Sequence, residues 1–149
     1  MILTFDNIPM DTKRCFSICD MRIDEILYSD NSVRFCFYNG LQRFENDELI
    51  STKTAFIEFG GCNADDFTCH VFKQSATKKG AELYGVPFSL EEIGNMLATN
   101  ERKIEVYLEL YDFNFVYWRG VLLPCNSNGL SDRIDIEISG QVSVTIFCG

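Results

Sequence analysis

Alternation of apolar and polar residues at every second position is the feature that most constrains the fold of this chain. It is clearest in the stretch EVYLELYDFNFVYWRG, residues 105–120, and it recurs around residues 23–38, 55–73 and 134–146. Successive side chains on a strand point to opposite faces, so this pattern is typical of strands with one buried face and one open face. The sequence therefore predicts a protein built mainly from β-sheets.

Four hairpins are predicted, because turn-forming residues separate the alternating runs. The predicted strand pairs are residues 23–28 with 33–38, 55–59 with 67–73, 104–111 with 115–122, and 134–138 with 142–146. In the last pair, Ile134, Ile136 and Ile138 are expected to share a face with Val142, Val144 and Ile146. Residues 1–20, 39–54 and 74–87 show no such pattern and stay unassigned.

The register of the 104–122 hairpin is predicted from its turn. A three-residue loop at residues 112–114, with Asn114 in a left-handed conformation, pairs Tyr111 with Phe115 and Glu109 with Tyr117. The apolar residues then share one face: Ile104, Val106, Leu108, Leu110, Val116, Trp118 and Leu122. A slip of one residue would mix the two faces, so the pattern favours this register.

One helix is predicted at residues 90–99. Ser89 precedes Glu92 by three residues, which is the spacing of a capping box, and Phe88 and Ile93 are placed for a hydrophobic staple. Leu90, Ile93 and Leu97 form an apolar stripe at helical spacing. This helix should pack on a sheet.

These elements fit one domain that spans residues 1–149. A chain of this length buries roughly 70% of its unfolded surface, so it needs no disulfides for stability. Its 13 phenylalanines predict an aromatic core. We expect an antiparallel β-sandwich of about seven to nine strands with one short helix; a partly open barrel is the alternative.

The cysteines predict a reducing environment. There are seven, an odd number, and the N-terminus has neither the basic region nor the apolar run of an export signal. No segment approaches the ~20 apolar residues of a membrane span. The expectation is therefore a cytoplasmic protein with free thiols.

Metal, cofactor and catalytic sites are not predicted. Cys15 and Cys19 would lie roughly 13 Å apart on a strand, which is too far for two zinc ligands. Cys69 and His70, the only histidine, are neighbours on a predicted strand and so point to opposite faces. The sequence contains no phosphate-binding loop, no nucleophile elbow and no HExxH motif. An enzyme is therefore less expected than a binding protein.

The net charge of the chain indicates which classes of binding partner to expect. The formal net charge is −9, with no basic patch or tail. Nucleic acids and anionic membranes attract cationic proteins, so neither is expected as a ligand. A basic protein partner is compatible with this charge.

The outer face of the 104–122 hairpin is the candidate partner-binding surface. In the predicted register it carries Glu105, Tyr107, Glu109, Tyr111, Phe115, Tyr117 and Arg119. Tyrosine side chains give a protein-binding surface a large contact area with a polar tip and few rotatable bonds to fix. We therefore expect a small acidic protein-binding domain, in its sharpest form an inhibitor or immunity-type protein that occupies a basic partner. The alternatives are a small-molecule-binding domain or enzyme with an aromatic-lined cavity, and a structural subunit of a larger assembly.

Overall fold

Two packed antiparallel sheets form most of the chain in the computed structural model, which describes residues 2–5, 16–77, 80–99, 102–112, 114–125, 129, 131–140 and 142–148. In chain order the strands of this part are β1 (Ile2–Phe5), β2 (Phe16–Ser17), β3 (Arg22–Ile23), β4 (Glu25–Ser29), β5 (Ser32–Phe37), β6 (Gln42–Glu45), β7 (Glu48–Ser51), β8 (Ala55–Gly60), β9 (Phe67–Thr77), β10 (Gly80–Phe88), β11 (Lys103–Asp112), β12 (Phe115–Leu123), β13 (Arg133–Ser139) and β14 (Ser143–Cys148). A 3₁₀ turn spans Ala64–Asp66, and the helix α1 spans Leu90–Thr99.

The strands form three sheets. One has five strands in the order β1-β14-β8-β5-β4, one has six in the order β10-β9-β13-β12-β11-β3, and one has three in the order β2-β6-β7. The mainly β, sandwich-like architecture confirms the predicted fold class. The described strands outnumber the expected seven to nine, because residues 39–54 and 74–87 hold the β6–β7 and β9–β10 hairpins and because β2 and β3 have only two residues each.

Two of the four predicted hairpins are wrong and two are confirmed, one of them the β11–β12 pair. β4 pairs with β5 across Asp30 and Asn31 as expected. By contrast, β8 and β14 lie in the five-stranded sheet, whereas β9 and β13 lie in the six-stranded sheet. The chain therefore crosses the sandwich after β8 and again after β13. Apolar faces that meet across a core show the same alternation as faces that lie side by side, so the pattern could not separate the two arrangements.

The core is aromatic, as the composition predicts. The Trp118 ring packs edge-on against Phe35 at 5.0 Å and lies 5.6 Å from the Phe59 ring, measured between ring centroids. All six residues of the proposed 134–146 pair are buried, but they enter the core from opposite sheets. Each of the two large sheets therefore buries one face in the core and leaves its other face outside the core.

The helix α1 is confirmed with the bounds that the sequence predicts. The Glu92 backbone N–H donates to the Ser89 hydroxyl oxygen at 3.1 Å, and Leu90, Ile93 and Leu97 are buried. The Tyr28 hydroxyl of β4 donates to the Leu90 carbonyl oxygen at 3.0 Å. With ten residues α1 is too short to cross a membrane, and the described part of the chain holds no other helix that could.

Replacing Ser89 with alanine should lower the free energy of unfolding by about 1 kcal/mol, because the first turn loses its capping acceptor. Urea unfolding followed by circular dichroism measures this loss. Ser89→Asp is the matched control and should retain most of the stability, since aspartate also accepts from the first-turn amides. An unchanged midpoint in Ser89→Ala would show that this cap does not hold the helix start.

Candidate functional site

A β-bulge at Tyr107 decides which side chains of β11 face outward. Val106 pairs with Gly120 and Leu108 pairs with Arg119, so Tyr107 is the extra residue between them. Asp112, and not Tyr111, pairs with Phe115 at the turn, where Asn114 has a φ of 54°. The predicted register is therefore wrong by one residue between the bulge and the turn, although the left-handed Asn114 is confirmed.

Beyond the bulge, Glu109 and Tyr111 turn toward the protein interior. Tyr111 is 9% exposed, and its hydroxyl oxygen accepts the Trp118 indole N–H at 3.1 Å. One Glu109 carboxylate oxygen accepts the Ile18 backbone N–H at 2.7 Å and the Ser17 hydroxyl at 3.2 Å. Burial raises the pKa of the Tyr111 hydroxyl well above its ordinary value. The prediction that these two residues share the outer face is wrong, because they anchor the segment that begins at β2.

The outer face of the six-stranded sheet brings together residues that are far apart in the sequence. Antiparallel partners point to the same side of a sheet, so the pairing assigns each row of this face. One row contains Leu108, Arg119, Asp135, His70 and Pro87. The next contains Leu110, Tyr117, Glu137 and Thr68, and its Leu110 is 42% exposed.

Asp135 is the centre of this face. Although only 8% exposed, its carboxylate accepts the Arg119 guanidinium at 3.1 Å and the Tyr117 hydroxyl, and it lies 3.4 Å from Nε of Arg133. The Arg133 guanidinium lies 3.8 Å from the centre of the Phe72 ring. Burial, then the hydrogen bond to Asp135, raises the pKa of Tyr117, and the same carboxylate raises the pKa of Arg119. These contacts hold the side chains in place around Asp135.

The other predicted binding residues lie either at or before the bulge on β11 or on the outer face of β12. Glu105 faces outward before the bulge and forms an ion pair with Arg22 at 3.2 Å, while Tyr107 is 47% exposed at the bulge itself. Phe115, Tyr117 and Arg119 lie half-buried on the outer face. The sequence prediction missed Asp135, Arg133 and His70, because it paired residues 134–138 with 142–146 instead of with β12 and β9.

The outer face is mixed in charge rather than acidic. Arg119 and Arg133 lie at its centre with Asp135 between them, and Glu137 lies beside Tyr117. Leu108, Leu110, Phe115 and Val121 add apolar area. A surface with rigid arginine and tyrosine side chains and exposed leucine has the composition of protein-binding surfaces.

The aromatic core is closely packed around Trp118 in the described part of the chain. The gap bounded by Phe59, Phe67, Val116 and Trp118 has no room for a water molecule. An open groove of about 530 Å³ lies at the surface instead, beside Asp24, Tyr38 and Lys103. In that groove Asp24 forms an ion pair with Lys103 at 3.1 Å and accepts the Tyr38 backbone N–H at 2.7 Å, so its charge is already satisfied.

The cysteines do not form a reactive centre in the described part of the chain. Cys19, Cys36, Cys62, Cys69 and Cys125 are free thiols, Cys148 is buried, and Cys15 lies outside the described residues. Burial raises the pKa of Cys62 to about 11 and that of Cys69 to about 12, so both are protonated at neutral pH. Among the described residues no three His, Cys, Asp or Glu side chains are close enough to hold a metal ion.

Comparison of the chain with protein-family models, with curated proteins and with solved structures returns no match.

Proposed function

We propose that this domain binds a protein partner through the outer face of the six-stranded sheet. The observation that carries the proposal is the Asp135 network, in which Tyr117, Arg119 and Arg133 are fixed around one carboxylate beside the exposed Leu110. Side chains that are ordered in advance lose little conformational entropy on binding, which favours affinity.

Two further features support a protein as the ligand. The aromatic core is filled beside Trp118, so a large internal ligand has no place there. The face also combines apolar leucine and phenylalanine with arginine and tyrosine, which dominate binding energies when they are desolvated at the centre of an interface.

The net charge of −9 favours a partner that is basic overall, because long-range attraction speeds association. At the centre of the face, however, the guanidinium groups of Arg119 and Arg133 favour a partner that supplies hydrogen-bond acceptors, such as backbone carbonyls or a carboxylate. An inhibitor or immunity-type protein of the cytoplasm, which occupies the surface of a basic protein, combines these properties. Such a protein acts by covering its partner and needs no catalytic group.

Affinity capture with matched variants tests this proposal. Leu110→Asp places a charge at the apolar part of the face, and Leu27→Asp makes the same change on β4 of the other sheet, where Leu27 is also 42% exposed. A partner captured by the wild type and by Leu27→Asp, but not by Leu110→Asp, supports the proposal. Its affinity for purified Leu110→Asp should fall at least about tenfold in calorimetry, a loss of about 1.4 kcal/mol. Equal capture by Leu110→Asp and the wild type would contradict it.

A further inference from the structure

The β6–β7 hairpin has a strand edge that no other described strand pairs with, outside the proposed binding face. β6 pairs with β2 on one side and with β7 on the other, so β7 is an edge strand of the three-stranded sheet among the described strands. All four residues of β7 are exposed, including Leu49 at 46% and Ile50 at 37%. Edge strands are commonly protected by lysine, proline or a bulge, and the sequence ELIS of β7 contains neither lysine nor proline.

The pairing shows which backbone groups of β7 point outward. Asn46 and Asp47, with φ values of 52° and 63°, form a two-residue turn, so the closing pair Glu45–Glu48 exchanges its hydrogen bonds within the hairpin. The bond from the Thr52 N–H to the Leu41 carbonyl, at 2.9 Å, follows the same alternation. The N–H and C=O groups of Leu49 and Ser51 therefore point away from β6, where an added strand would meet them.

The negative charge at this edge favours pairing with a strand that carries a basic residue. Glu45 and Glu48 lie directly opposite each other, which is unfavourable for like charges. Arg43 forms an ion pair with Glu45 at 2.9 Å, whereas none of the described residues forms one with Glu48. A cation beside Glu48 would relieve this repulsion.

We infer that the edge of β7 pairs with an extended segment of a partner protein that carries a basic residue opposite Glu48 and apolar residues opposite Leu49 and Ile50. Addition of a strand to an open sheet edge is a general mode of peptide recognition, in which backbone bonds give affinity and alternate side chains give specificity. This site is separate from the outer face of the six-stranded sheet. It stands or falls independently of the function proposed for that face.

The probes are capped hexapeptides with a central Thr-Val-Val-Lys sequence. In antiparallel pairing with β7, these peptides place their lysine opposite Glu48 and their two valines opposite Leu49 and Ile50. Titration into isotope-labelled protein should shift the amide resonances of Leu49 and Ser51. A methyl group on the nitrogen of the valine opposite Leu49 should weaken binding at least about tenfold, because that nitrogen faces β7. The same methyl on the other valine points away from β7 and should leave binding nearly unchanged.

Two protein variants complete the test. Leu49→Pro removes an outward N–H and keeps the bonds between β6 and β7, so it should abolish binding. Glu48→Lys should weaken binding of the lysine peptide about fivefold or more and favour its glutamate counterpart, whereas Glu91→Lys on α1 should change neither. Equal binding of the two methylated peptides, or no binding below about 1 mM, would overturn the inference. So would self-association that Leu49→Pro abolishes without any peptide binding, since the edge would then belong to a second copy of this chain.

Discussion

Trp118→Ala should lower the free energy of unfolding by about 3–5 kcal/mol, as large-to-small changes of buried aromatic residues do. Trp118 is 2% exposed and contacts the rings of Phe35, Phe37 and Phe59. Its loss leaves a cavity and removes the donor to the Tyr111 hydroxyl. Urea unfolding followed by circular dichroism measures the effect, because the variant lacks the only tryptophan fluorophore.

Tyr111→Phe measures the contribution of the Trp118–Tyr111 hydrogen bond to stability separately from that of ring packing. It keeps the ring beside Phe16 but leaves the buried Trp118 indole N–H without its acceptor, which should cost about 1–3 kcal/mol. Leu110→Ala, on the open side of the same strand, should cost less than about 1 kcal/mol. A large loss in Leu110→Ala together with a small loss in Tyr111→Phe would contradict the observed bulge and favour the register without it.

Asp135→Ala should lower the free energy of unfolding by about 2–4 kcal/mol. The change leaves Arg119 and Arg133 close together without the carboxylate between them, and breaking a buried ion pair typically costs about 3–5 kcal/mol. The expected value is lower than that range because both guanidinium groups keep part of their exposure to water.

Glu137→Ala is the matched control for Asp135→Ala, since it removes a carboxylate two residues away on the same strand and the same face. It should change stability by less than about 0.5 kcal/mol. Equal effects of the two changes would mean that Asp135 does not organise the face. Added salt should reduce the loss in Asp135→Ala, because it screens the repulsion between the two guanidinium groups.

Local signals in the sequence were sufficient for elements whose determinants lie within a few residues. Ser89, Glu92 and the stripe of Leu90, Ile93 and Leu97 predicted α1 with the observed bounds, because a cap and a helical period are short-range properties. The turn at Asp30 and Asn31 likewise predicted the β4–β5 hairpin. The alternation also predicted one buried side for β8, β12 and β14, as the structure shows.

The candidate site could be predicted only in part, because the bulge depends on a distant segment. In EVYLELY the glutamate–tyrosine stripe and the leucine stripe both continue without interruption, so nothing local marks Tyr107 as the extra residue. The Glu109 carboxylate turns inward because the Ile18 N–H and the Ser17 hydroxyl, about ninety residues earlier, meet it there. Likewise, Asp135 joins Tyr117 and Arg119 only through the β12–β13 pairing. The sequence prediction missed this pairing because it joined residues 134–138 to the apolar run at residues 142–146, which lies nearer in the chain.

Hydroxyl-radical footprinting of the domain, free and bound to its captured protein partner, tests the central claim most directly, since it reads side-chain exposure residue by residue. In the free domain Tyr107 and Leu110 should be oxidised readily and Tyr111 protected. On binding, Leu110 and Tyr117 should become protected, while Leu27 and Tyr38, which lie outside this face, should keep their reactivity. Protection of Leu27 and Tyr38 with Leu110 and Tyr117 unchanged would contradict a partner-binding face on the six-stranded sheet.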